Sequence, residues 1–201
     1  MRQVILIRWW VAKENYDDIY HSLMENDFDP YKPETKRWNR NLWEILWEKY
    51  DVFSIPTINR HFADYKAWKI MFEKSFEYLK NEVIFVWHSL WGTFLVKYFQ
   101  EENNNELFKK IEKIILVAPW FKDDKNEVLW NFNFDKKLEN LKKIQKKITI
   151  FGSKDDFLVD FSDIEDFMKV LPNSKYKIFE GKGHFLQEDF NELIEEIKAT
   201  L

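Results

Sequence analysis

Six short strand-like segments, at residues 4–7, 51–55, 83–86, 113–119, 148–151 and 175–179, alternate with stretches of helical periodicity, and the first, Val4–Ile7, is a continuous apolar run. A strand with one wet face alternates polar and apolar side chains, so a short continuous apolar run marks a strand covered on both faces. Between the segments, apolar residues recur at three- and four-residue spacing. Phe62, Tyr65, Trp68, Phe72, Phe76 and Leu79 form one such stripe, and Phe161, Ile164, Phe167, Met168 and Leu171 another. Further helices are expected at 91–100 and 190–197, and two more within 16–50, broken near Pro30 and Pro33. Residues 120–146 read as a longer polar excursion ending in a lysine-rich stretch. The alternation predicts an α/β fold: a three-layer sandwich with a mostly parallel sheet of about six strands and helices on both faces. No repeat, linker or domain break interrupts it, so residues 1–201 are read as a single domain.

In such a sheet, chemistry collects just past the carboxyl ends of the strands. Three residue types stand there. Ser89 follows the third segment, Asp155 and Asp156 follow the fifth, and His184 follows the sixth within Gly181-Lys182-Gly183-His184-Phe185. A serine hydroxyl becomes a useful nucleophile when a histidine takes its proton. The histidine in turn needs a carboxylate to fix its tautomer and stabilise the imidazolium. Ser, then Asp, then His is the chain order of α/β-hydrolase triads. On this reading the Leu90 N–H, at the start of the following helix, is one oxyanion donor, and a backbone N–H near Trp9 and Trp10 is the other. His88 is expected to shape the turn. His21 and His61 lie in less regular surroundings and read as structural or exposed.

Other classes are disfavoured. A net charge of −4 and an isoelectric point near 5.7 argue against a nucleic-acid surface. The chain has no cysteine, which removes disulfides and thiolate chemistry and fits a reducing cytoplasm. No apolar run reaches the roughly 18 residues of a membrane span, and the amino-terminal residues do not read as a signal peptide. The four histidines lack acidic partners at ligand spacing, so no metal and no cofactor is expected. A nucleotide-binding domain would need a glycine-rich loop after the first strand, where Arg8-Trp9-Trp10 stands instead.

Local motifs make the comparison specific. Residues 86–92, Val-Trp-His-Ser-Leu-Trp-Gly, lie against a G-H-S-L-G-G pattern, and residues 153–159, Ser-Lys-Asp-Asp-Phe-Leu-Val, against S-x-D-D-P-x-V, with Phe157 for proline. Gly183-His184-Phe185 matches G-H-F. With these motifs the chain resembles, over essentially its full length, the small serine-hydrolase family of the α/β-hydrolase superfamily that includes retinoblastoma-binding protein nine and bacterial relatives. The resemblance implies a compact, lidless enzyme with Ser89 as nucleophile, His184 as base and Asp156 as acid, acting on a small-molecule acyl substrate. The loop after strand one reads H-G-G or H-G-W in that family, so Arg8-Trp9-Trp10 departs from it.

The departures share a chemistry. The chain has 4 glycines and 10 tryptophans, whereas a glycine content near ~7% would give about 14. Trp9, Trp10, Trp87 and Trp91 stand where the family has glycine. Trp47 and Trp130 stand where a turn glycine would be natural. Trp38 and Trp68 lie in helical stretches and read as genuine; Trp43 and Trp120 fit neither group. We hypothesise that the gene encodes glycine by UGA and that these codons were read as tryptophan; UGG codons at 9, 10, 87 and 91 would sink the idea. The competing expectation is genuine divergence. Two indoles would then distort the turn around Ser89 and block the oxyanion hole, leaving a catalytically inactive binding protein.

Overall fold

The computed structural model describes residues 1–7, 16–25, 37–55, 63–122 and 130–199. Its six strands are β1 (Gln3–Ile7), β2 (Asp51–Ile55), β3 (Val83–His88), β4 (Ile111–Val117), β5 (Ile148–Ser153) and β6 (Lys175–Phe179). They pair in parallel throughout, in the order β2-β1-β3-β4-β5-β6. Every residue of β1, β3 and β5 is buried, whereas the edge strands β2 and β6 are mostly half-exposed. That difference is the physical origin of the continuous apolar runs.

The helices in chain order are α1 (Tyr16–Glu25), α2 (Trp38–Leu46), α3 (Tyr65–Lys74), α4 (Leu90–Glu101), α5 (Asn105–Lys110), α6 (Glu139–Lys142), α7 (Phe161–Val170) and α8 (Asn191–Lys198). Alternation along single strands sorts several of them onto the two faces. Phe85 and Trp87 of β3 meet Phe72 of α3 and Phe94 and Phe99 of α4, while the adjacent His88 meets Trp38 of α2. On β5, Thr149 bonds to Glu196 of α8, whereas Gly152 lies under Ile164 of α7. The sheet is therefore covered by α3, α4 and α7 on one face and by α2 and α8 on the other. A Cβ at position 152 would approach Ile164 Cγ1 to 2.7 Å, so glycine is required for α7 to pack this closely.

Two details depart from the periodicity. From Tyr65 the stripe forms α3, then tightens into a 3₁₀ turn over Ser75–Tyr78, where the Ser75 hydroxyl donates to the Phe72 carbonyl at 2.6 Å; Phe62 lies outside the described residues. The short helix α5 has no apolar stripe to announce it; Asn104 caps it by accepting from Leu107 N at 3.0 Å. The described part of the polar excursion contains α6 and two 3₁₀ turns.

Beneath the amino-terminal half of β5, on the α8 face, lies a buried ionic cluster. Glu196 accepts from Thr149 and pairs with Lys113, Lys175 and Lys177. Lys113, only 1% exposed, also donates to the Glu196 and Ala199 carbonyls. A buried charge is tolerable when all its bonding capacity is used, as here.

Candidate active site

β3 ends at His88 and α4 begins at Leu90, so Ser89 alone makes the turn between them. Its backbone takes φ 56 and ψ −133, a conformation that costs a non-glycine residue about 1–3 kcal/mol and persists only when surroundings over-determine it. Those surroundings are the Ser89 N–H donating to Val117 O at 2.8 Å and the Thr93 N–H donating to Ser89 O at 3.2 Å. The result is a hydroxyl held at the carboxyl end of the sheet.

The loop after β6 brings His184 to it. His184 Nε2 lies 3.0 Å from Ser89 Oγ, and Nδ1 lies 2.9 and 3.0 Å from the two Asp156 carboxylate oxygens. A carboxylate can only accept, so Nδ1 carries the proton and Nε2 is left to accept from the serine hydroxyl. Asp156 is itself fixed, accepting from the Leu158 and Val159 N–H groups at 2.9 Å each. His184 is 1% exposed and Ser89 7%.

The neighbouring aspartates, equivalent by sequence, separate by geometry. Asp155 turns away from the imidazole, accepting from the Ser153 hydroxyl and from the Gly181 and Gly183 N–H groups. The Ser153 hydroxyl, with those N–H groups, holds its carboxyl below the usual aspartate range. Gly181, at φ 84, supplies the left-handed turn that lets the loop reach back to Asp155.

Leu90 is the first residue of α4, so its N–H has no acceptor within the helix and is free to serve a ligand. Trp9 and Trp10 lie outside the described residues, as do His61 and Pro30. The distortion expected around Trp87 and Trp91 does not take the form anticipated. Ser89 keeps its turn, and Trp87 is fully buried with its indole N–H donating to Ile5 O at 3.2 Å. The crowding appears beside the turn: Trp91 and Trp68 stack with ring centroids 3.1 Å apart and planes 12° from parallel. Aromatic pairs favour about 4.5–7 Å between centroids.

One neighbour of the serine had no assignment in the sequence. Trp120, just past β4, places its indole N–H 3.4 Å from Ser89 Oγ and is tied by its own N–H to Thr93 Oγ1 at 2.9 Å. Nothing in its local pattern signals this, because the contact depends on how β4 ends beside β3. On the other side of His184 an open cleft of about 550 Å³ is lined by Phe157, Lys182, Gly183, Leu186 and Asp189. Phe157, 64% exposed, stands 6.1 Å from the His184 ring. Among the described residues no group of His, Asp and Glu could hold a metal ion, and no helix is long and apolar enough to cross a membrane.

An all-parallel six-stranded sheet with a serine at the third strand's end and a histidine–carboxylate pair from later strand ends defines an α/β-hydrolase. The fold comparisons agree. The ydeN gene product of B. subtilis superposes with a TM-score of 0.70 at 16% identity, covering 98% of this chain and 97% of that one. A putative YdeN-like hydrolase from Pectobacterium atrosepticum gives 0.59 at 15% identity, covering 98% and 90%. A structure from the thaumarchaeon Nitrososphaera gargenis, described with carboxylesterases, gives 0.63 at 10% identity, covering 98% and 89%. No curated protein sequence matches the chain. The chain belongs to the serine hydrolase family, whose profile, described as "Serine hydrolase", matches residues 26–201.

Proposed function

We propose that the chain cleaves a small ester, thioester or amide by acyl transfer through Ser89, His184 and Asp156. The carrying observation is the unbroken line of hydrogen bonds from Asp156 through His184 to Ser89 Oγ. As Ser89 Oγ bonds to the substrate carbonyl carbon, His184 Nε2 takes the hydroxyl proton and Asp156 stabilises the resulting imidazolium. The carbonyl oxygen, now anionic, meets the Leu90 N–H. The bond to the leaving group breaks as His184 returns its proton to that group. Water then adds to the acyl-serine with His184 again as base, freeing the acid and restoring the hydroxyl.

A second reading, an inactive hydrolase-like binding protein, draws on the tryptophans at the glycine positions of the elbow, Trp87 and Trp91, of which Trp91 stacks on Trp68 at 3.1 Å. Labelling with a fluorophosphonate separates the two. The catalytic reading expects covalent labelling of the native chain that Ser89→Ala abolishes. Labelling only after glycine is placed at 9, 10, 87 and 91 would favour an enzyme whose glycine codons were misread. No labelling of either protein would favour the binding protein.

A further inference from the structure

Around the His184 loop, three donors from distant elements converge on its backbone. His88 Nε2 lies 2.9 Å from the His184 carbonyl oxygen. The Trp38 indole N–H donates to the Phe185 carbonyl at 2.8 Å, and the Trp38 backbone N–H donates to the Gln187 carbonyl at 3.0 Å. The two side chains also brace each other, with the Trp38 ring edge-on to His88 at 5.9 Å and to Phe190 at 5.7 Å. We propose that His88 and Trp38 are positioning residues for His184, a clamp that fixes the loop aiming its imidazole at Ser89. The proposal rests on the reading of Ser89 and His184 as nucleophile and base.

The geometry gives His88 a specific task. It is the last residue of β3, directly before Ser89. The same strand end thus offers a hydroxyl to the His184 ring and an N–H to the His184 backbone, registering the loop at two points. A carbonyl can only accept, so His88 carries its proton on Nε2. Burial, with the His184 ring at 4.6 Å and Arg37 also nearby, pushes the His88 pKa well below its usual value, and the ring stays neutral. The loop needs such holding. Phe185 sits at φ 53, a strained setting for a bulky side chain that persists only under external constraint. Asp155 grips the loop from its other end through the Gly181 and Gly183 N–H groups. Neither Asp155 nor the clamp touches a reacting atom.

With four histidines in the chain, the His184 Nδ1 proton is resolvable by NMR of the full-length protein. His88→Leu removes the donor at similar bulk, His88→Gln restores an N–H, and Trp38→Phe keeps a ring without its donor. In His88→Leu we expect a broadened or lost His184 Nδ1 proton signal, and kcat lower by about 10–100-fold with KM within about threefold. His88→Gln should recover most of each, and Trp38→Phe should fall between. Should His88→Leu fail to fold, the milder Trp38→Phe decides by the same signals. An unchanged Nδ1 signal and an unchanged kcat in His88→Leu and Trp38→Phe overturn the clamp. A native protein with the expected NMR behaviour but no fluorophosphonate labelling would instead overturn the hydrolase reading and leave the clamp standing.

Discussion

The two halves of the site are built from opposite materials. The half that carries Asp156 and His184, at the end of β5 and on the loops after β5 and β6, uses glycine at two tight points: Gly152 of β5 beneath the Ile164 side chain of α7, and Gly181 at φ 84. The nucleophile half, where β3 meets α4, carries indoles at positions 87 and 91 and reaches its turn through a strained serine at φ 56. The loop carrying His184 is strained at one residue, Phe185 at φ 53, and is held by bonds from Trp38 and His88, while Gly152 and Gly181 make the other tight approaches of that half without a Cβ. The nucleophile half displaces its excess volume into the aromatic layer beneath α3 and α4, where Trp91 presses on Trp68. Site geometry is thus maintained locally by backbone hydrogen bonds, while side-chain volume is absorbed a layer away.

The largest expected effects test whether the halves act as one unit. Ser89→Ala and His184→Ala should each lower kcat by about 10⁶-fold, as members of a triad do singly. Asp156→Asn should cost about 10⁴-fold through the wrong tautomer. Asp155→Asn keeps an acceptor for the loop N–H groups and should cost less than about tenfold. Equal losses for the two aspartates in steady-state kinetics would erase the division of roles drawn between them.

A smaller effect probes the material difference itself. Trp68 continues the stripe of α3, and Trp68→Ala should cost about 3–5 kcal/mol, as for other buried aromatic residues. Trp91 is as deeply buried, yet Trp91→Gly should cost less than half of that because it relieves the close stack. Urea denaturation of the two variants measures the contrast, and equal costs would show that Trp91 is an ordinary core residue. The smallest effect separates chemistry from folding in acid. Burial pushes the Glu196 carboxyl up, but hydrogen bonds from Lys175, Lys177 and Thr149, with the charge of Lys113, outweigh it and hold it at about 2. A depressed carboxyl stabilises the fold fully above its usual 4.5 and loses that contribution as pH falls toward about 2. Urea midpoints measured across that window should fall for the native chain and flatten for Glu196→Gln.

Much of this architecture was legible in the residues. The burial of β1 and β3 follows from the unbroken apolar runs Val4–Ile7 and Val83–Val86, and the order Ser, Asp, His at successive strand ends selected the residues that the structure brings together. What was not legible has one physical cause. Asp155 and Asp156 are adjacent and chemically identical, and only the direction of the loop after β6 distinguishes them. Trp120 reaches Ser89, and Trp38 reaches Phe185, across 31 and 147 positions of chain. Such contacts are fixed by strand order and leave no local periodicity. The 3₁₀ turn after α3 was hidden by a single hydroxyl, that of Ser75, bonding backward.

The bond between Trp38 and Phe185 has a consequence for how the molecule comes into being. It joins the first fifth of the chain to its last tenth, and contacts of such sequence separation close late because the intervening loop entropy must be overcome first. On a ribosome, α2 would emerge long before the segment it grips. On the proposed reading, the imidazole is aimed at Ser89 only when both ends of the chain have met, so hydrolytic competence would follow completed folding.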